Sequence, residues 1–329
     1  MANILVTGGA GFMGSHVADE LLNAGNKIWI VDDLSGGFTE NIPQGAQFVE
    51  GSILDEELLA GLFEEHQFEY VFHLAAYAAE GLSHFIKRFN YQNNLIGSVN
   101  LINLSILHSV KCFVFTSSIA VYGKNQLPMI ETMIPEPEDP YGIAKFAVEQ
   151  ELKVSHEMFG LPYIVFRPHN VYGERQNIGD RYRNVVGIFM NQMLQGKPLS
   201  IFGDGMQKRA FTYIGDIAPA IAKSIHIEKA YNQVFNIGAD IPYSVKELAE
   251  KVGKSLGIDP VIEYLAARNE VLEAYSDHTK AEEIIGVNAA ASLEDGLQRM
   301  ANWVREQGPR KSKDFENIEI SINLPPAWK

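Results

Sequence analysis

Cysteine is nearly missing from this 329-residue chain: Cys112 stands alone. A single thiol cannot staple a fold, so a disulfide scaffold is excluded. The apolar surroundings of Cys112 in KCFVF mark it as a core residue and not a nucleophile. Positive charge is also scarce. The 27 Lys and Arg are outnumbered by 41 Asp and Glu, for a net charge of −14. Nucleic-acid backbones need clustered cations, so no nucleic-acid partner is expected. A few placed arginines can still hold an anionic diphosphate inside an acidic protein. No run approaches the ~18 apolar residues of a membrane span. The first residues, MANILVTGG, begin on a strand pattern without a basic and then apolar leader. A cytoplasmic protein with no membrane partner is the expectation, and no metal site is expected.

What is present is strand–helix alternation. Short apolar, β-branched runs fall at 3–7, 27–31, 47–50, 69–74, 111–117 and 162–167. Amphipathic stretches lie between them at 14–24, 55–66, 94–108 and 141–159. This spacing predicts an α/β fold with a doubly wound parallel sheet of the Rossmann type. The length leaves room for a smaller second lobe. The texture changes after Arg167: GERQNIGDRYRN at 173–184 reads as a polar loop, yet VFNIG at 234–238 reads as another buried strand. We therefore expect a nucleotide-binding domain over 1–172 with a returning strand near 234–238. An interleaved substrate-binding lobe is expected over 173–308, and a polar, surface-hugging extension over 309–329.

The first strand runs directly into Gly8, Gly11 and Gly14, spaced G-x-x-G-x-x-G, and then a helix. Small residues let the backbone approach a pyrophosphate, and the helix N-terminus favours its charge. Structural turns use glycine too, but the strand–glycine–helix context points to a dinucleotide. The second strand ends at Asp32-Asp33, with Asp32 18 residues beyond Gly14. A carboxylate there accepts hydrogen bonds from an adenosine ribose and repels a 2′-phosphate. NAD is thereby favoured over NADP, which weighs against a reductase using free NADPH.

Tyr141 and Lys145, in YGIAK, share one face of a helix. That spacing is common among surface residues, but it also suits proton transfer. A tyrosine with an ordinary pKa near 10 is a poor base at neutral pH. A nearby ammonium, together with a positive nicotinamide ring, would favour the phenolate. Thr116–Gly123, TSSIAVYG, ends a predicted strand at the sheet edge where ligands bind in open α/β folds. Ser118 there can share a proton with a sugar oxygen and with Tyr141, though serines after strands also form turns.

TGGAGFMGSH, VDDLSGG, FHLAA, TSSIAVYG and YGIAK, in this order, resemble the extended short-chain dehydrogenase/reductase family. Within it, the chain is similar to nucleotide-sugar epimerases of the UDP-glucose 4-epimerase type, over about residues 1–305. The resemblance implies permanently held NAD, with Tyr141 as base, Lys145 as its partner and Ser118 as hydrogen-bond partner. It further implies transient oxidation of a UDP-hexose, or its N-acetyl or uronic acid form, to a 4-keto sugar. It assigns Phe12, Met13, Ser52, Ile53, Asn93 and Pro168 to the cofactor, with Leu74, Ala75, Ala76 and Ser117 beside it. It assigns Asn170, Asn184, Arg209 and Arg268 to the nucleotide sugar, with Glu270 on the uridine ribose. Family dehydratases carry Asp-Glu at the positions of Ile119 and Ala120, and decarboxylases carry Glu at the position of Ala120. Neither residue here can titrate, which favours 4-epimerisation. One departure is Tyr77-Ala78-Ala79-Glu80-Gly81, with GLSHFI at 81–86 similar to GDP-mannose 3,5-epimerases. Glu80 is thus either a structural group at the substrate or the acid/base of a 3,5-epimerase or dehydratase. Some relatives are non-catalytic NAD-binding scaffolds, but those commonly lose the tyrosine or lysine. The resemblance also implies a homodimer built on helices near 94–108 and 141–159.

Overall fold

The computed structural model describes residues 1–329 except Asn125, 268–271, Asn288, 312–314 and Lys329. Seven parallel strands form the central sheet in the order Gln233–Ile237, Tyr163–Pro168, Cys112–Thr116, Tyr70–His73, Asn3–Thr7, Lys27–Asp32 and Gln47–Glu50. Helices cover both faces, so the central strands are continuous apolar runs. Ile4, Leu5 and Val6 are fully buried, as are Phe113 and Phe115. The chain order reverses between Asn3–Thr7 and Tyr70–His73. A crevice opens there, beyond the carboxyl ends of the strands.

Local chemistry explains where the helices start and stop. Pro140–Phe159 begins with proline at its first position, is capped by Asp139 accepting from the Gly142 N–H at 2.9 Å, and ends at Gly160 in a left-handed conformation (φ 76°). The helix expected at 94–108 starts earlier. Lys87–Tyr91 is helical, Gln92–Ile96 forms a wide π turn, and Gly97–Leu107 completes the helix. The Asn-rich start reads as loop by propensity. Tertiary bonds override that: the Asn94 amide donates to Asn90 Oδ1 at 2.7 Å and its carbonyl accepts from the Tyr77 N–H at 2.8 Å.

The second lobe is woven through the first. Strand Gln233–Ile237 returns to pair in parallel with Tyr163–Pro168, and helix Ile214–Lys223 packs against Phe12–Asn23. Smaller sheets pair Lys208–Ala210 with Pro242–Ser244 and Leu199–Phe202 with Ile262–Leu265. Cys112 is fully buried, and burial pushes its thiol pKa up, as befits a core residue.

A buried polar network fastens the long helix to the sheet. Glu149 accepts from Arg167 Nε at 2.9 Å and Nη2 at 2.5 Å, and from Ser117 Oγ at 2.5 Å. Arg167 Nη1 donates to Tyr122 Oη at 2.7 Å, which donates to Asn236 Oδ1 at 2.8 Å. Glu149 and Arg167 are only 4% and 3% exposed. Removing one partner of such a pair leaves an uncompensated buried charge. Glu149→Ala is therefore expected to destabilise the protein by about 3–5 kcal/mol in denaturant unfolding. The volume-conserving pair Glu149→Leu with Arg167→Met should recover much of that loss. A Glu149→Ala cost below about 1 kcal/mol would show that the pair does not hold the helix.

Candidate active site

The crevice is a cleft of about 350 Å³. Its floor is the glycine turn. Gly8 lies at φ +72°, and a Cβ on Gly14 would come within 2.1 Å of the Gly8 carbonyl oxygen. Gly11 precedes the helix Phe12–Asn23 and places no side-chain cap on it. The first N–H groups of that helix are thus left for an anion, with the helix dipole behind them. Asp32 sits at the strand end, 8% exposed, and its carboxylate accepts from the Ala10 N–H at 3.0 Å and the Leu34 N–H at 2.9 Å. A carboxylate has about four lone-pair sites, so positions remain for ribose hydroxyls. Burial holds the Asp32 pKa above its ordinary value, with the backbone N–H groups of Leu34, Ala10 and Gly11 opposing. Two buried oxygens on the cleft wall, Thr116 Oγ1 and Gln176 Oε1, have no hydrogen-bond partner among the described residues. Together these features fit a dinucleotide: a cradle bare of side chains, a helix N-terminus, a ribose carboxylate and polar wall atoms left to bond.

The structure brings most of the expected residues to this wall. Gly8, Gly11, Phe12, Met13, Gly14, Asp32, Asp33, Ile53, Leu74, Ala75, Ala76, Asn93, Ser117, Ser118, Tyr141, Lys145, Pro168, Asn170, Asn184 and Glu80 all line it. Three expectations are corrected in part. Ser52 is not on the wall, although Gly51 and Ile53 are; its hydroxyl accepts from the Leu54 N–H at 3.2 Å. Ser117 lines the cleft, but its hydroxyl is turned inward to Glu149. Arg209 does not line the cleft either, and its Nη1 donates to the carbonyls of Lys208 at 2.8 Å and Leu272 at 3.1 Å. Those carbonyls lie at the edge of the small sheet and hold the guanidinium there. Arg268 and Glu270 fall outside the described residues.

Tyr141 and Lys145 project into the cleft from one face of Pro140–Phe159, 6% and 2% exposed. The Ser118 hydroxyl accepts from the Ala120 N–H at 3.1 Å and lies close enough to the Tyr141 phenol to influence it, and Lys145 Nζ donates to the Thr116 carbonyl at 2.8 Å. Here the electrostatics differ from expectation. Burial raises the Tyr141 pKa, the charge of Glu80 raises it further, and the Ser118 hydroxyl and Arg183 only partly oppose this. Lys145 is lowered to about 7, because burial outweighs the favourable charge of Glu149. In the protein by itself, the lysine does not depress the phenol.

Sequence reasoning passed over Arg183. Its guanidinium lies over the Tyr77 ring at 4.9 Å, is paired with Asp180 at 2.5 Å, and reaches Gly36 across the cleft. Its only signal was membership of the polar loop 173–184. Asn170 (φ 40°) and Asn184 (φ 52°) flank that loop in left-handed conformations, which asparagine tolerates better than most residues.

The NAD dependent epimerase/dehydratase family model matches residues 4–238. A putative UDP-glucose 4-epimerase of Methanocaldococcus jannaschii is 35% identical, with 92% of this chain and 98% of that one covered. The structure of a Thermotoga maritima UDP-glucose 4-epimerase with UDP-glucose is 40% identical, with TM-score 0.89 and coverage of 93% and 99%. That of a Bacillus cereus UDP-glucuronic acid 4-epimerase with UDP-glucuronic acid and NAD is 30% identical, with TM-score 0.85 and coverage of 93% and 99%.

The low Lys145 pKa carries a pH prediction. An unfolded lysine keeps its ordinary 10.5 while the folded one sits at about 7, so between these values the unfolded chain binds more protons. Stability then rises with pH across that window. Nucleotide-free wild type should gain stability relative to Lys145→Met from about pH 7 to 10, read from denaturant midpoints. A pH-independent difference would mean that the folded lysine keeps its proton.

Proposed function

This chain belongs to the NAD dependent epimerase/dehydratase family, and from that membership we propose that it interconverts the C4 epimers of a UDP-hexose, in its neutral, N-acetyl or uronic acid form, with NAD as cofactor. The observation that carries the reading is the convergence of Tyr141, Lys145 and Ser118 on one glycine-floored cleft. The adjacent Ile119 and Ala120 offer no titratable group for chemistry at a second carbon.

Bound NAD supplies the hydride acceptor and a positive ring beside the phenol. The chain's own residues do the rest. Tyr141 takes the proton of the sugar 4-hydroxyl and later returns it. Ser118 holds that oxygen and the phenol on one hydrogen-bond line. Lys145 binds the cofactor ribose and keeps a cation under the site, with Glu149 behind it. Asp32 takes the adenosine ribose, and the N-terminus of Phe12–Asn23 takes the pyrophosphate. Asn170 and Asn184 bind the nucleotide sugar, with the Arg183 guanidinium on the same wall.

Turnover should fall on the order of 10² to 10⁴ in Tyr141→Phe, the usual contribution of a positioned acid/base. Glu80 on the wall keeps a second reading in view, a 3,5-epimerase or dehydratase in which it moves a proton at carbon. A 4-epimerase should tolerate Glu80→Gln within about tenfold, and in heavy water its product should carry no deuterium on carbon. Deuterium at C3 or C5 of the sugar, or a nearly inactive Glu80→Gln, would replace the first reading by the second.

We also propose a homodimer. Leu107, at the end of Gly97–Leu107, is 75% exposed, and Val154, Met158 and Phe159 on Pro140–Phe159 are 54%, 70% and 65% exposed. These two helices pack side by side, so their apolar residues suit a shared helix bundle with a second copy. Light scattering at micromolar concentration should report twice the chain mass, and a monomer would count against the pairing.

A further inference from the structure

The stretch after Gly308 lies beyond the span of the family resemblance, yet it packs along the outside of the cleft. Arg310 starts the path: its N–H donates to Asn191 Oδ1 at 2.9 Å, its guanidinium pairs with Glu40 at 3.0 Å, and it stacks 3.9 Å from the Phe38 ring centroid. The N–H of Phe315 donates to Tyr182 Oη at 3.2 Å, and its ring packs against Phe89 at 4.9 Å and Tyr77 at 5.4 Å. The Glu319 carboxylate accepts from the backbone N–H groups of Arg88 and Phe89, each at 2.9 Å. It thereby caps the helix Lys87–Tyr91, whose preceding residue Ile86 supplies no side-chain cap. The Trp328 indole, 8% exposed, lies on Gly81 and packs edge-on against Phe85 and Tyr182.

Tyr77, Glu80 and Phe89 line the cleft on the other side of these contacts. Tyr77 and Glu80 stand beside and in the four-residue turn Glu80–Ser83, and Phe89 stands in Lys87–Tyr91, the first turn of the helix that continues to Leu107. A four-residue helix and the open first turn of a longer one take their placement largely from what packs on them and caps them. Here that support comes from the C-terminal stretch: two acceptors and a negative charge at one helix start, an indole on the glycine beside Glu80, and a phenyl ring behind Tyr77 and Phe89.

We propose that Phe315, Glu319 and Trp328 are specificity-determining positioning residues, which set where Tyr77, Glu80 and Phe89 stand against the sugar of the bound nucleotide. This rests on the epimerase reading of the cleft. The UDP half of the substrate and the dinucleotide are held by other residues, so disturbing the stretch changes which sugar is preferred before it changes the grip on UDP or NAD.

The test is calorimetric affinity of NAD-loaded protein for UDP, UDP-glucose, UDP-N-acetylglucosamine and UDP-glucuronate, with NAD content measured in parallel. Glu319→Ala and Trp328→Ala should shift the preference among the three sugars by roughly fivefold or more, with UDP affinity and NAD content within about twofold of wild type. Trp328→Phe, which keeps a ring on Gly81, should stay near wild type. Glu319→Gln, which keeps one acceptor and loses the charge, should fall between. An unchanged sugar preference in both alanine variants overturns the proposal. So does a loss of UDP and NAD binding in proportion to sugar binding, which would make the stretch merely structural. A wild-type protein that binds none of the three UDP-sugars overturns the epimerase reading and this proposal together, whereas binding by wild type with unchanged variants overturns this proposal alone.

Discussion

The ion pair between Glu149 and Arg167 is the joint on which the site turns. Tyr141, Lys145 and Glu149 are spaced four apart on one helix, so they form a single row. Glu149 is the inner end of that row. Its bidentate contact with Arg167 on strand Tyr163–Pro168, and its bond to Ser117 at the end of Cys112–Thr116, fix how far the helix slides and rotates over the sheet. A buried pair of this kind adds little net stability, because desolvation offsets the attraction. Its effect is on register: one rotation of the helix satisfies three donors at once, and that rotation brings Tyr141 to Ser118.

The cleft itself is assembled from groups of opposite sign. The glycine turn offers bare N–H groups and the positive end of a helix. Asp32 and Glu80 put carboxylates on its wall, and Lys145 and Arg183 put basic side chains there. Such an arrangement suits a ligand with an anionic middle and hydroxyl-rich ends. On the proposed reading, local placement outweighs the overall field of a chain with a net charge of −14 and lets it hold the diphosphates of cofactor and substrate.

The parts of the site that could be read from the sequence are those whose chemistry is local. Gly8 to Gly14 form a turn whose spacing is its function, and Tyr141 with Lys145 share a helix turn. The parts that could not be read depend on distant packing. Arg183 sits in a loop whose polar residues look alike until Asp180 and Tyr77 orient one of them. The resemblance assigns Arg209 to the nucleotide sugar, but its Nη1 is engaged by the backbone carbonyls of Lys208 and Leu272 and it does not line the cleft. Ser52 stands between two wall residues, but its hydroxyl is engaged by the Leu54 N–H in the turn that follows the strand. The helix starting at Lys87 is hidden by its asparagines, because Asn94 is tied to Tyr77, 17 residues away, and the first turn is capped at Phe89 by Glu319, 230 residues away.

The pKa shifts in the cleft impose an order on the proposed chemistry. Burial and the charge of Glu80 both hold the Tyr141 phenol above its ordinary value, and burial draws Lys145 down to about 7. The phenol alone is therefore held in its neutral form, in which the tyrosine is no base, and the lysine holds its proton less tightly than usual. Positive charge added near both would lower the phenol pKa. It would also displace water from the cleft, which strengthens every remaining electrostatic interaction. On the proposed reading, basicity is thus a property of the loaded cleft and not of the tyrosine. Glu80 contributes by opposing ionisation until that charge is in place.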